Sequence, residues 1–181
     1  HVWRTLDNGG DQATLEASCP EFTTFGGKPG CGDFAPLGDP SGNGGPGTSG
    51  DLTSTLYGAD RAGGYVVAVA RTPADHSTLW AATATGRVFV SQNANAPSAA
   101  AVTYTRIDNT STAAPQRFVS GIVIDPRNPN RAWVTYTGYN ANTPATPGHV
   151  FQVDYNPSTH TATWTDIDNG TGPLGDLPVD G

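Results

Sequence analysis

The sequence predicts an all-β chain assembled from repeated four-stranded antiparallel units, and three observations carry that expectation. Charged residues make up only 14 % of the 181 positions, whereas Thr, Ala, Gly, Pro and Asn abound and Val, Tyr, Phe and Trp recur in short runs. That is the residue usage of short strands joined by many turns. The stretch YVVAVARTPADHSTLW at 65–80 aligns without gaps on FVSGIVIDPRNPNRAW at 118–133, which matches Pro73 with Pro126, Asp75 with Asn128 and Trp80 with Trp133. RVFVSQNA at 87–94 and HVFQVDYN at 149–156 then follow, succeeded by TYTRIDN and TWTDIDN, so each repeat holds four strands.

Taken in chain order, the opening HVWRTLDN reads as the third strand of a unit, with His1-Val2-Trp3 on Arg87-Val88-Phe89 and on His149-Val150-Phe151. This register requires a fourth strand, which DFAPLGD at 33–39 supplies by placing Phe34 on Tyr104 and Trp164, and Leu37 on Ile107 and Ile167. The similarity of WRTLDN to WTDIDN is then shared strand vocabulary. Residues 1–39 are strands three and four of a first unit, interrupted by an insertion that carries Cys19 and Cys31. Without a His or a second Cys pair at zinc-like spacing, a disulfide between these two is expected, which implies an oxidising compartment.

Residues 40–64, including DPSGNGGPGTSGD, form a Gly-rich connection that lacks the GK[ST] of a phosphate-binding loop. Residues 65–109 and 118–169 are complete units, each an apolar first strand, a Pro/Asp/Asn turn and an alternating second strand such as LWAATAT or AWVTYT. Residues 177–181 begin another, since PVDG matches FVSG at 118–121. Such units cannot bury both faces alone, and propellers close on roughly four to eight blades. About two and a half blades make an incomplete ring. The expectation is a β-propeller segment completed by remaining blades of the same protein or by another chain.

Thr5-Leu6-Asp7-Asn8-Gly9-Gly10, with Phe34 as a delayed aromatic, fits S/T-x-D-x-G-x-T-W, and the repeat resembles the Asp-box (BNR) blades of sialidase-like propellers. Ser91-Gln92-Asn93-Ala94 with Thr103-Tyr104 is a looser copy, and only Thr163-Trp164 survives in the third, where Val153 and Tyr155 replace the Ser and Asp. These are turn residues: the hydroxyl and carboxylate bond turn backbone, glycine accepts positive φ, and the aromatic covers the hairpin. A structural calcium at Asp7 has no motif behind it, and no cofactor is expected. The blades are similar to those of secreted sialidase-like and xyloglucanase-like glycoside hydrolases and of sortilin-type receptor propellers. WD-repeat signatures are absent. The resemblance implies a secreted or cell-surface protein, and an enzyme of this kind would be a glycoside hydrolase.

Several chemistries are excluded. A net charge of −7, with one lysine against eight arginines and no basic cluster, argues against nucleic acid. No apolar run approaches the roughly 18 residues that span a bilayer. His1, His76, His149 and His160 are scattered without metal-ligand spacing, and Ser120 lies in Val-Ser-Gly rather than GxSxG. The arginine triad and Tyr/Glu nucleophile of family sialidases cannot be placed on this chain. Asp60, Asp125 and Asp176 could contribute to a carboxylate pair, without any separation being readable.

The resemblance puts a ligand face on the inter-blade connections and on the loops between strands two and three, opposite the Asp-box turns. It singles out Tyr57, Asp60, Arg61 and Arg117, together with Tyr139, Asn140 and Asn142 in GYNANTPATPGH. Arg, Tyr, Asn and Asp suit sugar hydroxyls or acidic groups. Asn109 and Asn169 open glycosylation sequons at equivalent positions. Two functions follow: a carbohydrate-active protein, or a non-catalytic propeller scaffold for protein binding or surface assembly. A carboxylate pair across the channel would favour the first, and a channel lined by Val, Ala and Thr the second.

Overall fold

The computed structural model describes residues 1–6, 9–11, 13, 34–41, 44–138, 145–146 and 148–168. Cys19, Cys31, Asp7, Tyr139, Asn140, Asn142, Asn169 and the 177–181 stretch lie outside the described residues. The elements are β1 (Trp3–Arg4), β2 (Ala35–Pro36), β3 (Val66–Thr72), β4 (Asp75–Thr83), β5 (Val88–Ser91), β6 (Thr105–Arg106), β7 (Val119–Asp125), β8 (Asn128–Tyr136), β9 (Val150–Asn156) and β10 (Thr161–Asp166), with single 3-10 turns at Thr55–Tyr57, Ala99–Ala101 and Asp108–Thr110. They form an all-β structure of antiparallel sheets. β3-β4-β5-β6 and β7-β8-β9-β10 are four-stranded meanders, and β1-β2 is a separate pair. Among the described residues no helix is long and apolar enough to cross a membrane.

The two meanders repeat each other down to their irregularities. β3 slips register against β4 between Val66 and Ala68 and again between Arg71 and Thr72, and β7 slips against β8 between Val119 and Gly121 and between Ile124 and Asp125. Such one-residue bulges bend a strand and raise its twist. Asp75 makes the β3–β4 turn by accepting from Ser77 N–H at 2.7 Å and Thr78 Oγ1 at 2.5 Å. Asn128 makes the corresponding bond to Asn130 N–H at 3.1 Å, as short polar side chains do at turns.

Third and fourth strands pair in one register throughout: Trp3 opposite Pro36, Phe89 opposite Arg106, Phe151 opposite Asp166. One backbone bond recurs with it, from Leu37 to Val2 at 2.9 Å, Ile107 to Val88 at 2.9 Å and Ile167 to Val150 at 3.0 Å. The opening stretch therefore pairs with β2 in the register that β5 shares with β6 and β9 with β10.

Side chains alternate across a strand, so one sheet can feed two cores. On β4, Leu79 and Ala81 point into a cluster with Val2, Leu37, Leu52, Phe89 and Tyr104, whereas Trp80 and Ala82 point into a second cluster with Val134, Tyr136, Phe151 and Trp164. The β3–β6 sheet is the middle layer, between the β1-β2 pair and the β7–β10 sheet. This explains why its second strand reads LWAATAT rather than a strict apolar/polar alternation. Each large side chain fully buried here contributes about 1.5–3 kcal/mol. Trp80 adds a hydrogen bond from Nε1 to Pro129 O at 2.9 Å, which ties the two sheets together.

Candidate functional site

At one end of the sheets five segments converge: the 52–64 connection, the 84–87 turn, the end of β6, the 107–116 connection and the start of β7. The 84–87 turn closes with Gly86 at φ 91°, where an added Cβ would stand 2.5 Å from Arg117 O. Only glycine meets both conditions, since it tolerates positive φ and lets two backbones touch. The turn aims Arg87 at the connection before β3. Its fully buried guanidinium donates to Leu52 O at 3.3 Å, Ser54 O at 2.8 Å, Gly58 O at 2.6 Å and Asp60 O at 2.6 Å. Carbonyls that would be orphaned in a buried loop are satisfied by one side chain.

Beside it lies a cluster of four charges. Arg106 grips Asp60 with both ends of its fork, Nη2 to Oδ2 at 2.5 Å and Nη1 to Oδ1 at 2.9 Å, and donates to Asp108 from Nη2 at 2.8 Å. Arg61, in a left-handed backbone conformation, donates Nη2 to Asp108 Oδ2 at 2.6 Å and Nη1 to Gly86 O at 3.3 Å. The Asp108 side chain is fully buried and also accepts from Val88 N–H at 2.8 Å. Asp60 is different: just over half of its side chain faces solvent. Hydrogen bonds from Arg106 hold its carboxyl well below the usual carboxylate range, against a weaker push upward from burial.

Asp60, Arg61 and Asp108 line a cleft of about 350 Å³ together with Asn109, Ser111, Thr112 and Gln116. The next unit repeats the plan with other residues. Asp168, where Asp108 stands in the middle sheet, accepts from His149 N–H at 2.9 Å and Val150 N–H at 3.1 Å. Burial raises the Asp168 carboxyl, but hydrogen bonding with the Asp166 side chain and bonds from the His149 and Val150 amides outweigh it and leave the pKa lowered. Arg117 turns away from solvent, donating to Gly138 O at 3.4 Å and Thr146 O at 3.2 Å, and also to Gly148 O.

Of the residues singled out by sequence, Asp60 and Arg61 come together in the cleft. Tyr57 sits beneath it, with its hydroxyl donating to Ser49 O at 2.6 Å and its ring edge against Phe89, and only its carbonyl reaches the charge cluster, through Arg106 Nη1 at 2.8 Å. Arg117 holds the neighbouring loop. At the opposite end of the sheets lie the turn residues. Thr5 Oγ1 accepts from Gly9 N–H at 2.7 Å, and Phe34 lies 3.4 Å from where a Gly9 Cβ would be. Asn93 Oδ1 accepts from Thr103 N–H at 2.9 Å while Nδ2 donates to Ala101 O at 3.0 Å, which pins the turn that begins at Ser91. Tyr104 and Trp164 are buried.

Arg87, Arg106 and Asp108 are central to the site and were not singled out by sequence. Their signal was present in the recurring IDN at 107–109 and 167–169 and in the alignment of Arg87 with His149. Among the described residues no group of three or more His, Cys, Asp or Glu could hold a metal ion. Glycoside hydrolysis through a carboxyl pair needs one member kept protonated as the acid. Arg106 pushes Asp60 the other way and favours its ionised form. No family model, curated protein or solved structure matches this chain.

Proposed function

We propose that the chain forms consecutive blades of an Asp-box-like propeller from a secreted or cell-surface protein, and that the cleft beside Asp60 binds carbohydrate without hydrolysing it. One observation carries this reading. A cleft of sugar-sized volume is lined by a carboxylate and a guanidinium locked in an ion-pair cluster, together with amide and hydroxyl side chains. Fixed polar groups lose little entropy when a polyhydroxylated ligand replaces water. The repeated meanders, the shared strand register and the layered packing support the propeller.

The test is titration of the chain with a panel of neutral and acidic oligosaccharides, followed by backbone amide NMR. Shifts should cluster at 60–61 and 108–116. Asn109→Ala and Gln116→Ala should each weaken binding by roughly fivefold to tenfold, the worth of one hydrogen bond of about 1 kcal/mol. Reducing-end release should stay at the buffer rate. Binding of no glycan by the wild-type chain, or binding indifferent to both substitutions, would sink the reading.

A second reading, the non-catalytic scaffold, is favoured by the inner strands. β3 and β7 lie side by side, and Tyr65, Val69, Phe118 and Val123 are exposed on or beside them.

A further inference from the structure

Arg61, Arg87 and Arg106 gather at the end of the sheets that holds the cleft, yet their N–H groups are engaged within the fold. All five of Arg106 have partners: Nε donates to Asp108, Nη1 to Tyr57 O and Asp60 Oδ1, and Nη2 to Asp60 Oδ2 and Asp108 Oδ2. All five of Arg87 do as well, with Nε on Asp60 O at 3.1 Å and the two Nη on the carbonyls of Leu52, Ser54, Gly58 and Asp60. Arg61 directs Nη2 to Asp108 and Asp60 and Nη1 to Gly86 O, its Nε is buried, and only 13 % of its side chain meets solvent. A guanidinium carries five donors and no acceptor, so these arginines have almost nothing left to offer a ligand.

Asp60 is the converse. The two oxygens of a carboxylate provide about four acceptor positions. Arg106 Nη1 occupies one on Oδ1, while Arg106 Nη2 and Arg61 Nη2 occupy two on Oδ2, which leaves one open on Oδ1. Asp60 has 56 % of its side chain in solvent, against 3 % for Arg106 and 0 % for Asp108, and is therefore the charge that the cleft presents. Hydrogen bonds from Arg106 keep it ionised at neutral pH. Asn109, Thr112 and Gln116 line the same cleft and bring uncharged amide and hydroxyl groups.

We propose that Asp60 sets the specificity of this cleft, which accepts uncharged sugars through a hydroxyl donated to Asp60 Oδ1 and rejects sugars that carry a carboxylate. This rests on the carbohydrate reading above and names its ligand class. A sugar hydroxyl donates to Oδ1 and accepts from the amide of Asn109 or Gln116, so both sides of the pair are satisfied. A carboxylated sugar brings a second anion beside Asp60 and finds the neighbouring guanidinium donors already bonded. Like charges at close range oppose binding, and because Asp60 is exposed, salt weakens that opposition. The number of arginines at this end does not make it an anion site, since Asp108 and backbone carbonyls answer their charge from inside the fold.

Calorimetric titration of the 181-residue chain at neutral pH tests it. The probes are matched pairs from the glucose, galactose and mannose series, each a hexose oligomer and the hexuronic acid oligomer of the same length and linkage. Within the pair that binds, the hexose oligomer should bind about tenfold or more tightly than the acid. Raising ionic strength from about 0.01 M to about 1 M, which shortens the screening length from roughly 30 Å to 3 Å, should narrow that gap. Asp60→Asn should bind the acid oligomer more tightly than wild type does and the hexose oligomer no better, whereas a loosened connection would weaken both. Should Asp60→Asn fail to fold, the wild-type ratio and its salt dependence decide the matter. Equal affinity within the pairs, tighter binding of the acid, or a gap unmoved by salt overturns this proposal and leaves the carbohydrate reading standing. Binding of no member of any pair overturns both.

Discussion

Replacing Asp108 by Ala should remove more stability than any other single charge in the described structure. The carboxylate is fully buried and accepts from Val88 N–H, from Arg106 and from Arg61, at 2.8, 2.8 and 2.6 Å. Without it Arg106 keeps Asp60 and the Tyr57 carbonyl, and Arg61 keeps the Gly86 carbonyl and a 3.3 Å contact with Asp60, but both cations lose their shared buried anion. Breaking a buried pair by deleting one partner costs about 3–5 kcal/mol, because the other charge stays desolvated. With a total folding stability of roughly 5–15 kcal/mol, that brings the chain close to unfolding. Urea titration followed by tryptophan fluorescence measures it, and a slope of roughly 2 kcal/mol per molar gives a midpoint about 2 M lower. Asp154→Ala is the control. Its pair with Arg131, at 2.7 Å, is about a third exposed on each side, and exposed pairs are worth at most about 1 kcal/mol. If Asp108→Ala shifts the midpoint no further than Asp154→Ala, the charge cluster does not hold the 52–64 connection in place.

Two further outcomes follow from the same end of the sheets. Gly86→Ala combines a φ of 91° with a Cβ 2.5 Å from Arg117 O, and should cost at least about 2 kcal/mol, read as a fall in Tm of roughly 5 °C or more; an unchanged Tm would refute the close approach. Asp60 and Asp168 both sit below the ordinary carboxylate value of 3.8 when folded, so their stabilisation is complete above that pH and is lost as pH falls through the lowered values. Stability should therefore hold from neutrality to about pH 4 and decline below it, with a shallower decline in Asp60→Asn; an Asp60→Asn profile superimposable on wild type would contradict the pairing.

The strands were legible because their signals are local. A period of two, Pro and Asp at a turn, and a Trp seven residues after the Pro place two strands and their hairpin in both repeats without any knowledge of what lies across the sheet. The pairing of the opening with 35–36 was legible for a related reason: the opening required a partner, and Phe34 and Leu37 marked the stretch that supplies one. The charge cluster was not legible in the same way. Arginine is expected at a surface, and nothing within a few residues of Arg87 shows that a connection some 30 positions earlier wraps its guanidinium in carbonyls. Position on the chain likewise brings Tyr57 to the end of the sheets that holds the cleft but is silent on its hydroxyl, which Ser49 engages from across the connection. Asp60 and Arg61 could be found because they directly precede a strand whose placement was secure.

The middle sheet, packed on both faces, sets a gradient of amide protection across the molecule. Local opening costs least where a layer is bare on one side and most where it is covered on both. Amides of β4 should exchange with solvent deuterium only in near-global unfolding, while those of β8 and β9 should exchange through smaller openings of the outer layer. A binding partner that covers the last sheet would therefore slow exchange in β8 and β9 and leave β4 as it was, whereas a ligand at Asp60 would slow the 52–64 and 107–116 connections first. Exchange rates thus separate the two kinds of occupancy in a single experiment, without a label or a substitution.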